Sequence, residues 1–250
     1  MKKLLQIVCL VLLTITPSTL LAEIYKELIP KENISDYIVH HEYYSLGYDE
    51  ETEQAAWVMY EYTKEEASTP RVQRKDRFRP DPAIPTHSAT LQDYKKSGFD
   101  RGHLAPAADM AFCTQAMRDS FLMSNMSPQR PKFNRGIWKK LEAQVRKWAE
   151  QDTIIVVTAG VLSGNQYIGR NHVLVPEAYY KIIYVPSQNK AIAFLLPNKG
   201  SKKKLSSFAV SINTIEALTG INFFSAMEDS QEDTLESQCN ITSWDWARTK

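Results

Sequence analysis

Hydrophobic and polar positions repeat along this chain at two different periods. Residues 55–63 (AAWVMYEYT) place aromatic and branched side chains in partial alternation and predict a strand. Residues 154–161 form a branched apolar run, the pattern of a buried strand. Two further apolar runs, 179–185 and 191–196, flank a short polar turn at 186–190 and predict a hairpin. Over 134–150 the period changes. Ile137, Trp138, Leu141, Val145 and Trp148 recur at the spacing of one helical face, with Asn134 placed as the N-cap. Both tryptophans belong to that apolar face and are expected in the core. Residues 204–218 predict another helix, stopped at Gly220. Residues 121–125 (FLMSN) are a short apolar run, after which Ser127-Pro128 marks a turn. Residues 23–48 mix polar side chains with tyrosines and give no clear pattern.

Interleaved strands and helices with a clear hairpin predict an α+β fold with an antiparallel component, not a doubly wound parallel sheet. No repeat, low-complexity tract or Gly/Ser linker divides residues 23–250. These are expected to form one domain with its core over about 55–225. The glycine-rich loops of dinucleotide and P-loop sites are absent from the sequence, which weakens nucleotide-cofactor readings.

The first 22 residues change the picture of where the chain works. Lys2 and Lys3, an apolar stretch over 4–13 and the small residue Ala22 have the three regions of a secretory signal peptide. The stretch is shorter than the roughly 20 residues a membrane span needs, and Pro17 argues against one continuous helix, so an uncleaved anchor is the weaker alternative. A secreted or periplasmic protein is expected, starting near Glu23, without stable membrane association after cleavage. Cys113 and Cys239 then remain, and an oxidising compartment predicts a disulfide between them, two free buried thiols being the alternative. The chain carries 30 basic and 29 acidic residues; without Lys2 and Lys3 the net charge is about −1. Overall charge therefore announces no polyanionic partner, and only its local distribution can.

Candidate chemistry concentrates in FDRGHLAPAADM, residues 99–110. Asp100, Arg101, Gly102 and His103 precede Pro106, so this run reads as a strand end that presents a base and a cation. His40, His41, His87 and His172 lack such company and read as surface or structural residues. Asn125, and Asn134, Glu142 and Arg146 on the predicted helix, complete a polar constellation. Asn134 and Glu142 lie about 80° apart around a regular helix and roughly 12 Å apart along it. They cannot both ligate one ion directly, so Glu142 would act through water if Asn134 binds a metal. Arg146, four residues beyond Glu142, can pair with it. A single neutral amide ligand suits Mg²⁺, which keeps its waters and leans on substrate phosphate. Zinc does not fit, because His and Cys show none of its close ligand spacings. A histidine base, an arginine and a metal are what phosphodiester hydrolysis requires.

With DRGHLAP at 100–106, LMSNMSPQ at 122–129 and FNRGIWKKLE at 133–142, the sequence resembles the DNA/RNA non-specific endonucleases of the ββα-metal, endonuclease G-like type. VPEAYYKIIY at 175–184, AIAFLLPN at 191–198 and IEALTGINFF at 215–224 extend the likeness. The resemblance implies a central antiparallel sheet with flanking helices and a ββα finger at the site. It implies His103 as general base, Asn134 as the direct metal ligand, and Glu142 as the residue orienting metal-bound water. Asn125 would position the histidine and substrate, and Arg101 and Arg146 would surround the phosphate. One further arginine of the family falls at Arg77 or Arg79, and spacing does not choose between them. The products would carry 5′-phosphates, with Mg²⁺, or Mn²⁺ as substitute, as cofactor.

Local charge agrees with a nucleic-acid substrate. Between Arg130 and Lys147 stand seven basic residues against Glu142 alone, and the 71–85 segment (RVQRKDRFRPDPAIP), an ordered loop by its prolines, adds five. The leading expectation is a secreted nuclease acting on DNA and RNA. A non-catalytic secreted nucleic-acid-binding protein and a phosphodiesterase acting on another ester are the alternatives. Monomer and homodimer are equally compatible with the sequence, and any protective inhibitor protein is of unknown identity.

Overall fold

The computed structural model describes residues 25, 27–30 and 35–246, so the expected signal peptide lies outside the described residues. In chain order, β1 (Tyr37–His40), β2 (Ser45–Asp49) and β3 (Gln54–Tyr62) form an antiparallel meander, and helix α1 (Lys64–Ser68) follows. Helix α2 (Leu91–Tyr94), strand β4 (Asp100–His103), helix α3 (Thr114–Asp119) and strand β5 (Met126–Gln129) come next. They lead to helix α4 (Lys139–Ala149) and strand β6 (Ile154–Gly160). Short strands β7 (Tyr167–Ile168) and β8 (Val173–Leu174) pair with each other, and β9 (Ala178–Val185) and β10 (Lys190–Pro197) make the hairpin. Strand β11 (Ala209–Val210) and helices α5 (Ile212–Thr219) and α6 (Asp229–Ser237) complete the order.

One seven-stranded sheet, in the order β1-β2-β3-β6-β9-β10-β11, carries the core, and every pairing in it is antiparallel. All residues of β6 are buried, with Val157 paired to Met59 on one side and Ile182 on the other. Burial of each such branched side chain stabilises the fold by about 1.5–3 kcal/mol. Helix α4 lays Leu141, Val145 and Trp148 against this core, and Trp148 packs on Phe194 and Trp244. The expected α+β architecture with a central antiparallel sheet is therefore present. So are the strands at 55–63 and 154–161 and the hairpin, whose turn ends on Asn189 in the left-handed region (φ 42°).

Four local expectations are corrected. Ser127-Pro128 does not turn the chain; both residues lie in β5, opposite Gly102 and Arg101. Proline is tolerated there because a two-stranded ribbon has free edges and needs no amide from it. The 204–218 helix begins only at Ile212, because Ser211 accepts a hydrogen bond from the Thr214 amide (3.2 Å) and starts it afresh. Upstream of Ser211 the chain forms a single 3₁₀ turn, Leu205–Phe208, and then β11.

Asn134 is not an N-cap. Helical winding starts at Pro131, and a wide π-type turn, Phe133–Trp138, precedes α4. Gly136 (φ −111°, ψ −108°) kinks that turn, so the helix before it does not continue the line of α4. Finally, Cys113 and Cys239 are free thiols. Cys113 caps α3, its Sγ accepting from the Ala116 amide at 3.3 Å, whereas Cys239 is exposed beyond α6.

Candidate active site

The site is built where a two-stranded ribbon meets the kinked helix. Strands β4 and β5 pair from Asp100–Gln129 to His103–Met126. Because alternate residues face opposite sides, Arg101 and His103 share one face and Asp100 and Gly102 the other. The ribbon is bolted to the central sheet through Ser127, whose hydroxyl donates to Gln54 (2.5 Å) and bonds Tyr179 (2.7 Å). Glycine at 102 is a requirement of close approach. A Cβ there would fall 2.1 Å from the Gln129 side chain, a contact no residue other than glycine avoids.

Arg101, His103, Asn134, Glu142 and Arg146 line one cleft of about 590 Å³. His103 packs against Phe121 (edge-on, 4.8 Å between centroids) and Phe78 (5.8 Å), with Nε2 buried and without a hydrogen-bond partner. Burial pushes its imidazole down to about 3; Arg74 and Arg101 push the same way, and Asp76 opposes them. The ring is thus held neutral, the form that accepts a proton. Arg101 lies over the Phe78 ring at 4.3 Å, with its Nε buried and without a partner.

Asn134 is oriented by its neighbour. Its Nδ2 donates to Asp100 (2.9 Å), and the same carboxylate accepts from Arg135 Nε (2.8 Å) and Nη2 (2.5 Å). With the amide nitrogen committed, Oδ1 is the atom Asn134 offers to a ligand. The Glu142 carboxyl is pushed up by burial, against the downward pull of Lys181, Arg146 and Arg74. Lys181 itself is wholly buried on β9, 5.0 Å from the Trp138 ring, and burial pushes its ammonium down. A buried lysine without a hydrogen-bond partner, held in the field of the half-buried Glu142, is a costly arrangement for stability alone.

Four sequence-predicted residues stand differently from expectation. Asn125 is buried and outside the cleft lining; it accepts from the Ala105 amide (2.8 Å) and donates to Ala105 and Ser120 carbonyls (both 2.9 Å). Its hydrogen bonds hold the backbone just after His103, and its side chain is closed off from solvent. Arg146 does not pair with Glu142; its Nη1 donates to Asp109 (2.8 Å), which also accepts from Tyr60 (2.8 Å). Of the two candidate arginines, Arg79 is spent on Asp119 (3.0 Å) and Arg77 is exposed, both outside the cleft lining.

The profile of the DNA/RNA non-specific endonuclease family matches residues 25–230. The chain belongs to that family. Mitochondrial nuclease EXOG of Mus musculus is 31% identical over 219 residues, covering 79% of this chain and 59% of that protein. Human mitochondrial endonuclease G is 34% identical over 200 residues (73% and 67% of the two chains). Nuclease C1 of Cunninghamella echinulata is 33% identical over 222 residues (81% and 87%). Among solved structures, EndoG in its complex with EndoGI superimposes with a TM-score of 0.75 at 29% identity, covering 84% of this chain and 94% of that one. The chain spans between 59% and 63% of the length of the EXOG nucleases it matches.

The endonuclease family is metal-dependent, and the residues here fit a hard cation. Among the described residues no cluster of three His, Cys, Asp or Glu side chains could cage an ion. Asn134 Oδ1 would hold it directly and Glu142 through water, an incomplete donor set that suits a hydrated cation. Sequence reasoning missed three residues that line or brace this cleft. Arg74, and not Arg77 or Arg79, lines the cleft, with its guanidinium 5.2 Å from the Phe121 ring. Asp109 anchors Arg146, and Asp100 orients Asn134. Both aspartates stand within FDRGHLAPAADM, so position was visible but partnership was not.

Proposed function

We propose that this protein is a metal-dependent endonuclease that hydrolyses DNA and RNA phosphodiester bonds with little sequence preference. The observation that carries the reading is His103, its ring packed on Phe121 and Phe78 with Nε2 unpartnered, set among arginines in the same cleft as Asn134 and Glu142. His103 takes a proton from water as the water oxygen bonds to phosphorus. The bond from phosphorus to the 3′ oxygen breaks, that oxygen leaves and takes up a proton, and the 5′-phosphate stays on the other fragment. Arg101 and Arg74 hold the phosphate by charge, and the Asp109–Arg146 pair fixes a third cation beside Glu142. Mg²⁺, or Mn²⁺ in its place, would supply when bound the positive charge that stabilises the pentacoordinate phosphate and the departing oxygen.

Secretion is part of the proposal and rests on the residue pattern of 1–22 alone. N-terminal sequencing of the exported protein should start near Glu23. The EndoG/EndoGI complex makes an inhibitor protein the partner class to look for.

The test is direct. Purified protein is incubated with plasmid DNA and with RNA, in Mg²⁺ and in EDTA. Digestion that needs the metal and is abolished by His103→Ala is expected. Binding without cleavage at every Mg²⁺ concentration would overturn the enzyme reading in favour of a non-catalytic binder.

A further inference from the structure

A second cationic surface stands beside the cleft, and neither the fold nor the hydrolytic chemistry uses it. Residues 199–204 read KGSKKK, and no acidic residue occurs between Glu177 and Glu216. Lys199, Lys202, Lys203 and Lys204 are exposed, and none of them is in an ion pair among the described residues.

The loop is mounted firmly, which mere solubility would not require. Asn198, at its base, is buried: its Oδ1 accepts from the Arg130 amide (2.8 Å) and its Nδ2 donates to the carbonyls of Pro128 (3.1 Å) and Pro176 (2.9 Å). Gly200 presses on Lys132, so closely that an added Cβ would lie 2.9 Å from the Lys132 Cβ. Lys132 is itself exposed and stands two residues before Asn134. Across a cavity of about 390 Å³ the loop faces Ile137 of the π-type turn. Most anchors of the loop, Pro128, Arg130 and Lys132, thus lie in the segment 128–137 that also delivers Asn134.

We propose that Lys199, Lys202, Lys203 and Lys204, with Lys132, form a backbone-contacting track for nucleic acid running out of the cleft. The inference rests on the nuclease reading and deepens it, assigning this side of the cleft to phosphates beyond the scissile one. Such contacts carry no sequence information; they hold and orient a long polyanion. Each phosphate neutralised steepens the dependence of log affinity on log salt by about 0.9 for duplex DNA.

The quadruple variant K199Q/K202Q/K203Q/K204Q tests this in EDTA, so that binding is read without cleavage. Affinity for duplexes of about 6 and about 30 base pairs is followed by fluorescence anisotropy across a salt series. Expected for the variant is a salt slope on the longer duplex shallower by about 2 to 3.5, with roughly tenfold or greater loss of affinity near 0.1 M salt. The loss on the short duplex should be smaller, and urea unfolding should be unchanged. An unaltered slope, or equal loss at both lengths, while the wild type still cleaves plasmid in Mg²⁺, overturns the track and leaves the nuclease reading intact. A wild type that neither binds nor cleaves overturns both. Vesicles rich in phosphatidylserine provide the last arm: loss of vesicle binding in the variant with an unaltered DNA slope would assign the loop to membranes and overturn the proposal.

Discussion

His41 and His103 are two partly buried histidines in one molecule, and their surroundings are opposite. His41 Nε2 stands 2.9 Å from Asp81, a carboxylate with no exposed side-chain surface. Burial acts to raise Asp81, but hydrogen bonds from His41, Ser124 and the Ala83 amide outweigh it and hold the carboxyl below its ordinary value. His103 meets aromatic rings on its faces, has no hydrogen bond at Nε2, and sits in the field of Arg74 and Arg101. The first arrangement ties the 81–83 segment to the end of β1. The second disfavours an imidazolium, with Asp76 alone opposing, and keeps the ring neutral. The hydrogen-bonded carboxylate at His41 serves the architecture, whereas His103 meets Asp76 only through charge and faces the cleft.

The comparison can be broken most severely by deleting each ring. His103→Ala should lower the cleavage rate by about 10²–10⁴-fold with little change in the urea midpoint. Equal activity in that variant would remove His103 from the chemistry. Gly102→Ala leaves the imidazole intact but forces the Gln129 side chain aside. It should cost about 1–3 kcal/mol in urea unfolding and displace His103, so the folded fraction should also turn over more slowly. His41→Ala should do the reverse of His103→Ala, costing about 2 kcal/mol because Asp81 loses a buried partner, while activity per folded molecule is kept.

The pH dependence of stability differs in origin at the two rings. Unfolded, His103 takes up a proton near 6.5; folded, it does so only near 3. Its contribution is therefore complete above 6.5 and is lost as the pH falls toward 3. Asp81, depressed from 3.8, contributes above that value and loses its contribution below it. In EDTA, the urea midpoint of the wild type should drop between pH 7 and about 4.5 more than that of His103→Ala. His41→Ala should flatten the curve only at still lower pH. Parallel curves for wild type and His103→Ala would mean that the imidazole is not held neutral.

Much of the scaffold was legible because it follows local rules. The branched run of β6 and the aromatic alternation of β3 are buried as their periods require, and β9 and β10 flank a turn that ends on Asn189. The cleft was legible where adjacent residues carry it, as in Arg101 and His103 on one face of a strand. What escaped depends on contacts between distant segments. Nothing local distinguishes Asp109 from a surface aspartate, yet it meets Tyr60 and Arg146. Arg74, Arg77 and Arg79 share one proline-punctuated loop, and the path of that loop alone decides which of them reaches the cleft. A regular helical wheel also failed at Gly136, where the kink separates Asn134 from the line of α4. The predicted disulfide is absent, Cys113 standing at the start of α3 and Cys239 exposed beyond α6.

Asp100 has a mechanical consequence beyond orienting an amide. It begins the strand that ends at His103, and it grips Asn134 and Arg135 from a segment 34 and 35 residues further along. The proposed base and cation ligand are thereby joined through one carboxylate that spans ribbon and helix. Asp100→Asn would let the two halves fluctuate independently, degrading turnover more than ground-state binding.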